Sequence, residues 1–404
     1  MINVVILNGG RGASSTIPAL LEKQGLNITS IVNAYDDGKS TGEIRKFFGM
    51  LGPSDIRKVQ ELMLPKDDLD YHNNLKLFQY RFPLNVERRE VLPQLQSFVD
   101  ETREDIAGIS IKSAKVREIL RIFIGEFLSG LNIIERVNNE VFDFSDCSIM
   151  NCIYAGAFLA CNRNIEQATM SIDRLFKLRG TVLPTSIEDK KLVAQRENGQ
   201  ILYSEAEIVE LRSNVRVECI YLLDKSLNKA NFELLSNTEK CYYLKRHNCY
   251  VGISSGVKLA LKQADVIIYS AGTQHSSLYP TYISAGLAQT IADNHSAYKA
   301  FITNIGADYE TPSYSVSDYI RGAHRYLNLS DKRSYSMEEL FDIMLINKSR
   351  IKADETYVEF DDEVNNIPVS LIIDDFESHT QPGKHDGNKV IETILNLYSA
   401  NLSL

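Results

Sequence analysis

The sequence of 404 residues exceeds one ordinary domain, and at about 150 residues per domain it predicts two or three domains, or one α/β domain with large insertions. A composition of 44% apolar and 24% charged residues excludes a collagen-like or largely disordered chain. The 53 acidic and 44 basic residues give a formal net charge of −9. The sequence has no basic stripe that would displace counterions from a phosphate backbone, so it predicts no nucleic-acid partner.

The distribution of apolar residues and cysteines predicts where the protein is located. No apolar run approaches the ~18–20 residues that a transmembrane helix needs, which predicts no membrane partner. Met1 leads into an apolar segment without the basic region of a signal peptide. None of the six cysteines forms a CxxC pair or has a histidine at zinc-finger spacing, which favours reduced thiols. The protein is therefore expected to be cytoplasmic.

In chain order, the first elements form a βαβ pattern. Residues 3–7 are a continuous apolar run, typical of a parallel strand buried on both faces. A glycine-rich loop follows, and apolar residues at helical spacing in 17–21 indicate a helix. Residues 28–32 predict a second strand, which leads into a polar loop at 35–42.

The middle of the chain has a different pattern. Residues 58–145 are poor in glycine and have helical periodicity, so we interpret them as a helical insertion. A small-residue helix is predicted at 151–161, after which the apolar period changes to two. Residues 191–196 and 201–209 flank Asn198-Gly199, which predicts a β-hairpin.

The βα pattern returns in the last part of the chain. The predicted elements are strands at 217–222, 266–269, 300–304 and 369–374, and helices at 255–262, 283–291 and 388–398. The segment 330–366 is polar and acidic, and we interpret it as a surface insertion.

Together these elements predict an α/β fold, a Rossmann-like three-layer, mostly parallel sheet with an inserted helical subdomain and a β-hairpin. The α/β core is assigned to 1–57 and 146–404, with the surface insertion near 330–366, and the helical insertion to 58–145. Ligands of such sheets bind outside the carboxyl ends of the strands. The loops that follow predicted strands are therefore expected to line one edge, and they are 8–15, 35–42, 270–278 and 304–311.

The first candidate site is a glycine-rich loop between a strand and a helix, formed by Gly9, Gly10, Arg11 and Gly12. Its amide groups can face an anion, but the loop is neither a complete GxGxxG pattern nor a Walker A loop. A phosphate cradle and a tight turn needed for packing both remain open. A nicotinamide-binding domain would use Asp36 or Asp37 for the ribose, but the many polar residues of the 36–42 loop argue against that class.

A pair of carboxylates forms the second candidate site. Asp37 and Asp55 are eighteen positions apart, and each lies in a loop after a regular element. Such oxygen ligands suit Mg²⁺, which keeps some of its waters and binds phosphate at the same time. Both acids are equally suited to capping turns or helices, so the residues alone leave a metal site and a structural role open.

Segments along most of the chain resemble the CofD/YvcK family, which contains 2-phospho-L-lactate transferase and gluconeogenesis factors of the YvcK type. The three N-terminal blocks agree with the family in order and spacing, and they are residues 9–12, 36–42 and 48–58. Similar segments follow at Leu77-Phe78-Gln79-Tyr80-Arg81-Phe82, 148–151, 179–189, 264–267, 276–281, 304–316 and His385-Asp386.

The chain departs from the family pattern around the expected ligand edge. Arg11 replaces a glycine, Lys58 replaces an asparagine, and 272–275 replaces a Gly-Pro-Gly loop. Residues 84–140 and 330–366 have no clear counterpart. These departures leave the identity of the substrate open, while the loop and hairpin details are closer to the YvcK branch.

The resemblance implies which residues form the site. In the transferase branch, a phospholactyl group passes from a guanosine diphosphate-linked lactate to a deazaflavin hydroxyl with the help of a metal, and a nucleoside monophosphate is released. For this chain it implies Mg²⁺ as cofactor and Asp37 and Asp55 as catalytic and metal-binding residues. The implied substrate or nucleotide contacts are Gly9, Gly10, Arg11, Gly12, Asp36, Ser40, Thr41, Arg57, Asn151, Gly272, Thr273, His275, Ser276 and Asn304.

Two classes of function remain open. The favoured class is an enzyme that transfers a group at phosphorus from a nucleoside-diphosphate-linked small molecule. The alternative is a non-catalytic, YvcK-like regulator of carbon or cell-wall metabolism that binds a nucleotide-sugar. Both classes predict a nucleoside diphosphate conjugate or nucleotide-sugar as the partner, and a homodimer is left open.

Overall fold

The computed structural model describes residues 1–10, 12–348 and 357–402. Its strands are β1 (Ile2–Asn8), β2 (Leu26–Val32), β3 (Asp105–Ile106), β4 (Ile109–Ser110), β5 (Thr181–Pro184), β6 (Lys191–Arg196), β7 (Ile201–Leu202), β8 (Val217–Leu223), β9 (Val266–Tyr269), β10 (Tyr298–Ile302), β11 (Ile343–Asn347) and β12 (Ser370–Asp374).

The described residues also form seventeen helices. They are α1 (Thr16–Glu22), α2 (Lys39–Phe48), α3 (Ser54–Leu62), α4 (Tyr71–Gln79), α5 (Arg88–Val99), α6 (Ala114–Asn138), α7 (Ile149–Ala160), α8 (Ile165–Leu175), α9 (Glu205–Glu210), α10 (Lys229–Phe232), α11 (Asn237–His247), α12 (Ser255–Gln263), α13 (Tyr279–Tyr282), α14 (Leu287–Asp293), α15 (Val316–Leu327), α16 (Met337–Leu340) and α17 (Gly387–Asn401).

One parallel sheet of seven strands organises the fold, in the order β12-β11-β10-β9-β1-β2-β5. In β1, Val4 to Leu7 are almost completely buried, as expected for a strand covered on both faces. Helices flank the sheet, so the predicted Rossmann-like α/β architecture is confirmed. Since β1 lies between β2 and β9, the loops that leave these three strands meet at one edge.

The predicted hairpin is present, but its second strand is much shorter than expected. β6 pairs with β8 and with β7, and Gly199 forms the turn with a positive φ of 85°. Residues 205–209, which the period-two pattern assigned to the strand, belong to α9 instead. Ser204 begins this helix by accepting a hydrogen bond from the Glu207 amide, so a local cap decides the structure against the alternating pattern.

The segment 330–366 was interpreted as a surface insertion, and this interpretation misses a strand of the main sheet. β11 lies between β10 and β12, and four of its five residues are buried. Its apolar run of four residues, 343–346, is too short to change the polar and acidic composition of the whole segment. Residues 349–356 lie outside the described residues.

The predicted helix over 283–291 begins four residues later than expected. α13 ends at Tyr282, before the predicted start, and α14 begins at Leu287 after a turn at Gly286 with a φ of 84°. Gly286 takes a left-handed conformation that a side chain disfavours, so this residue sets the start of the helix.

Residues 58–145 are mostly helical, with α4, α5 and α6 and the short β3–β4 pair. Phe127 and Phe142 of this segment belong to the same apolar cluster as the sheet residues, so the helices extend one continuous core. A separate small cluster lies on the three-stranded sheet, around Tyr221 and Phe232. Within the described residues, none of the helices has both the length and the apolar character needed to cross a membrane.

Candidate functional site

A cleft of about 1150 Å³ lies at the carboxyl edge of the parallel sheet. The loops after β1, β2, β9 and β10 all contribute to its lining, as the predicted topology required. Two further segments line it that the sequence did not suggest. One is α9 of the small sheet, and the other is the segment 378–387 before α17.

Most of the predicted site residues line this cleft. They are Gly9, Gly10, Gly12, Asp36, Thr41, Asp55, Arg57, Gly272, Thr273, Ser276 and Asn304. Four others lie next to it without lining it, and they are Asp37, Ser40, Asn151 and His275. Arg11 lies outside the described residues.

Packing accounts for the glycines of the loop after β1, whose described residues 9, 10 and 12–15 we call the β1 turn. A Cβ atom added to Gly10 would lie 2.5 Å from Asp55 Oδ1, and one added to Gly12 would lie 2.6 Å from the Ala271 carbonyl oxygen. The absence of side chains therefore brings the β1 turn against Asp55 and against the loop after β9. This close packing places the backbone of Gly10 next to the Asp55 carboxylate, which faces the cleft.

Acidic side chains converge beside the β1 turn. Burial, followed by the charge of Asp55, raises the pKa of Asp36. Burial, followed by the charges of Asp36 and Asp55, raises the pKa of Glu205 on α9 to about 9. Lys58 Nζ lies 2.8 Å from Asp55 Oδ1 and is the basic group that offsets this repulsion at Asp36. The cluster therefore favours a ligand or ion that carries positive charge.

Asp37 has a different environment from Asp55. Its Oδ1 accepts a hydrogen bond of 3.0 Å from the Ala206 amide, which ties the loop after β2 to α9. Asp36 Oδ1 accepts from the Gly38 amide at 2.9 Å, and its side chain lines the cleft. In the part of the chain that the structure describes, no group of three or more His, Cys, Asp or Glu side chains is arranged to hold a metal by itself.

Arg45 fixes the loop after β2 through buried hydrogen bonds. Its buried guanidinium donates to the carbonyl oxygens of Tyr35 at 2.6 Å and of Lys190 at 2.7 Å, and to Asp189 Oδ1 at 2.5 Å. One side chain therefore connects the loop that carries Asp36 to the beginning of β6. Since α9 follows the β6–β7 hairpin, this connection also helps to place Glu205 at the cleft.

Ser40 and Asn151 act on the cleft indirectly. Asn151 Nδ2 donates to Ser40 Oγ at 3.3 Å, and Arg81 Nη2 donates to the same oxygen at 3.2 Å. Arg81 also pairs with Asp146, and both of these residues line the cleft. Ser40 and Asn151, both predicted to contact the ligand, therefore help to orient the Arg81 guanidinium on the cleft wall instead.

The loop after β9, which we call the β9 turn (residues 271–278), forms the part of the cleft wall next to the β1 turn. Asn304 holds its beginning, because Asn304 Oδ1 accepts from the Gly272 amide at 2.9 Å and Asn304 Nδ2 donates to the Gly272 carbonyl at 3.0 Å. His275 points away from the cleft, and its completely buried ring lies 5.0 Å from the ring of Tyr279. Burial lowers the pKa of His275 to about 3, so its imidazole is neutral at physiological pH.

The residues that sequence reasoning missed come from distant segments. Glu205, Ala206, Val209 and Glu210 reach the cleft because Ser204 caps a helix there, and the Ser204–Glu207 spacing was the available signal. The 378–387 segment reaches it through Gly306, whose amide donates to the Gly383 carbonyl at 3.2 Å. No local sequence pattern predicts the contact between Gly306 and Gly383.

The family model described as 2-phospho-L-lactate transferase CofD matches residues 4–393. The chain belongs to this family. The shared blocks that carried the resemblance therefore contribute to the cleft of a CofD-family protein. The match itself does not identify the substrate, since the departures around residues 58 and 272–275 lie at the cleft edge.

Relatives and solved structures agree with this assignment. The chain is 25% identical over 397 residues to a gluconeogenesis factor of Listeria innocua, covering 97% of this chain and 94% of that protein. It is 24% identical over 347 residues to a putative gluconeogenesis factor of Nostoc sp., covering 85% of this chain but 55% of that protein. The crystal structure of protein BH3568 from Bacillus halodurans, a member of the UPF0052 family, has the same fold, with a TM-score of 0.66, 21% identity and coverage of 98% and 99%.

The free energy of unfolding is expected to fall as the pH rises from about 6.5 to about 8.5. Burial raises the pKa of Glu205 to about 9, that of Glu310 to about 8 and that of Asp173 to about 7, so in this range the folded state holds protons that the unfolded state has released. Below pH 6.5 the buried neutral rings of His275 and His385 contribute in the opposite direction and offset part of the decline. Urea unfolding at a series of pH values measures the decline, and Glu310→Gln should reduce it. A free energy of unfolding that stays constant over this pH range in the wild type would contradict the raised pKa values of these carboxyl groups.

Proposed function

We propose that this protein binds a nucleoside-diphosphate-linked small molecule in the cleft and catalyses Mg²⁺-dependent transfer at phosphorus. The observation that carries the proposal is the placement of Asp36 and Asp55, beside Lys58, on the cleft wall next to the backbone-rich β1 turn. Carboxylates that repel each other next to exposed backbone suit a cation and a diphosphate together. Membership in the CofD family supports the substrate class.

The donor set fits Mg²⁺. This ion takes oxygen ligands, and its sites commonly use one or two carboxylates with phosphate oxygens and waters supplying the rest. Asp36 and Asp55 are the carboxylates that would hold it, because each lines the cleft and the charge of Asp55 raises the pKa of Asp36. A bound Mg²⁺ would neutralise the diphosphate and the charge that develops on the leaving phosphate. The alternative pair of Asp37 and Asp55 stays a prediction.

The residues of the chain supply positioning and charge. Transfer at phosphorus needs little covalent help from a protein, so these two effects account for most of the expected catalysis. Lys58, Arg57 and Arg81 line the cleft and balance phosphate charge. Glu205 of α9 lines the same cleft, and its carboxyl group is a candidate to exchange a proton with an acceptor hydroxyl.

A nucleotide-sugar-binding regulator is the second candidate. The observation that favours it is the name of two Listeria relatives, "gluconeogenesis factor", which match this chain over nearly their whole length. The regulator would use the same cleft and the same cation, but it would not release a nucleoside monophosphate. Turnover therefore separates the two candidates, whereas binding does not.

A thermal-shift screen tests the binding proposal directly. We expect nucleoside diphosphates, or their sugar or lactyl conjugates, to raise the melting temperature with Mg²⁺ present and to raise it much less after chelation. A ligand at 100 times its Kd stabilises a protein by about 2.7 kcal/mol, which is readily measured. Release of nucleoside monophosphate from the ligands that bind would identify the enzyme. Absence of a Mg²⁺-dependent shift with every nucleotide would contradict the proposal.

A further inference from the structure

We propose that Glu310 is a positioning residue, whose buried carboxyl group fixes the β9 turn as a rigid wall of the cleft. The proposal rests on the proposed function in one respect, since the wall is taken to contact the phosphate part of the ligand. Glu310 belongs to the loop after β10 and is 5% exposed. It would act through the turn rather than on the reacting atoms.

The carboxyl group of Glu310 holds the centre of the β9 turn at three points. Its Oε2 accepts from the His275 amide at 3.0 Å and from the Ser276 amide at 2.9 Å. Its Oε1 bonds to Ser276 Oγ at 2.5 Å. Because one side chain fixes two successive amides and a hydroxyl, the loss of this side chain would leave buried donors without a partner.

Contacts from neighbouring loops complete the same arrangement. Asn33, from the loop after β2, donates through Nδ2 to the Ser276 carbonyl at 2.9 Å, and Asn304 fixes Gly272 at the start of the turn. The turn then presents Thr273 and Ser277 to the cleft, with Thr273 Oγ1 donating to Ser277 Oγ at 2.9 Å. The positions of these hydroxyl groups therefore depend on the backbone that Glu310 holds.

The β9 turn also packs against the β1 turn. A Cβ atom added to Gly9 would lie 2.8 Å from Ser277 Cβ, so the two turns are in direct contact. A displaced β9 turn would therefore either press on the β1 turn or lose its contact with it. Glu310 thereby sets how these two parts of the cleft lining pack together.

The protonation state of Glu310 suggests a sharp test. Burial, followed by the charge of Asp308, raises the pKa of Glu310 to about 8. A neutral carboxyl group can keep all three contacts, because its carbonyl oxygen accepts both amides and its hydroxyl donates to Ser276 Oγ. A glutamine side chain has the same pattern of one acceptor and one donor. Glu310→Gln should therefore preserve the clamp, whereas Glu310→Ala should remove it.

Hydrogen exchange in the ligand-free protein tests the clamp without reference to any ligand. In Glu310→Ala we expect the amides of 273–278 to exchange about tenfold faster or more, and in Glu310→Gln to exchange as in the wild type. Asp173→Ala is the matched control, because Asp173 is a buried acid away from the cleft that accepts from the Val182 amide at 2.9 Å and from Gln60 Nε2 at 2.6 Å. It should lower stability without changing exchange in 273–278. Unchanged exchange in Glu310→Ala would overturn the proposal.

Calorimetric titration with GDP and UDP, each with Mg²⁺, tests the role of the wall. Glu310→Ala should weaken binding about tenfold or more, while Glu310→Gln restores it to nearly the wild-type value. Loss of Mg²⁺-dependent binding in Glu310→Gln, with its amides still protected, would overturn the proposal, since the carboxylate would then act on the ligand or the cation. If Glu310→Ala does not fold, Ser276→Ala removes one of the three contacts and should give a smaller increase in exchange, with no increase counting against the clamp. If the wild type binds neither nucleotide, the proposed function fails for these ligands, and the exchange measurement still decides the clamp.

Discussion

Asp55→Asn is expected to abolish Mg²⁺-dependent binding of nucleoside diphosphates while the protein stays folded. The carboxylate faces the cleft, lies against the β1 turn and shares its environment with Asp36, so its loss removes a charged oxygen from the proposed cation site. Changes even to groups that only support a metal ligand cost about 10–100-fold in affinity, so we expect a loss of about 100-fold or more. Calorimetric titration with GDP, with and without Mg²⁺, measures it.

The stability of Asp55→Asn should change little, which separates this variant from a folding defect. It loses an ion pair with Lys58, and partly exposed pairs of this kind contribute about 0–1 kcal/mol. It also loses the repulsion between Asp55 and Asp36, which acts in the opposite direction. Urea unfolding of the ligand-free protein should therefore agree with the wild type to within about 1 kcal/mol.

Asp37→Asn is the informative companion variant, because it makes the same change at the neighbouring candidate ligand. If Asp37 mainly supports α9 through the Ala206 amide, an asparagine can still accept that hydrogen bond and the loss of affinity should be small. If Asp37 binds the cation, the two variants should lose Mg²⁺-dependent affinity equally. Retained affinity in Asp55→Asn itself would contradict the proposed cation site.

The sheet was predictable because its strands are short, continuous apolar runs followed by polar loops. β1 and β9 show this clearly, since both are buried on both faces. β11 is also a short buried strand, but it lies within the charged segment 330–366. The polar composition of that whole segment predicted a surface insertion and concealed the strand. The pattern fails again at Ser204, where a helix cap overrides an alternating sequence. Local capping therefore determines α9, and burial in the sheet determines β11, where the periodicity of apolar residues predicted neither element.

The cleft was predictable in part for a topological reason. Loops after neighbouring parallel strands must meet at one edge, so Gly10, Asp36, Gly272 and Asn304 could be brought together without knowing any side-chain contact. The direction of each side chain could not be deduced in this way. His275 belongs to the predicted loop and yet lies beside the rings of Tyr314 and Tyr326, because such distant aromatic neighbours are a property of the whole fold. The same holds for Glu310, whose role depends on amides some 35 positions away in the chain.

Gly156→Ala is expected to destabilise the protein by about 3 kcal/mol or more, at the upper end of what overpacking costs. Gly156 lies in α7, and a Cβ atom there would lie far inside contact distance of the Phe123 carbonyl oxygen of α6. Backbone cannot yield as a flexible side chain does, so the two helices must separate. α7 carries Asn151, which reaches the cleft wall through Ser40 and Arg81, so nucleotide binding should weaken as well.

Gly125→Ala makes the same chemical change in α6 with the opposite expected sign. A Cβ atom at Gly125 would lie 3.7 Å from Val99 Cγ1, which is an ordinary contact. Alanine stabilises a helix relative to glycine by about 0.5–1 kcal/mol, so this variant should unfold at a slightly higher urea concentration than the wild type. Comparable stability for Gly156→Ala and Gly125→Ala would show that α6 and α7 are not in backbone contact. A large loss confined to Gly156→Ala would establish that this contact joins the helices of 58–145 to the α/β core.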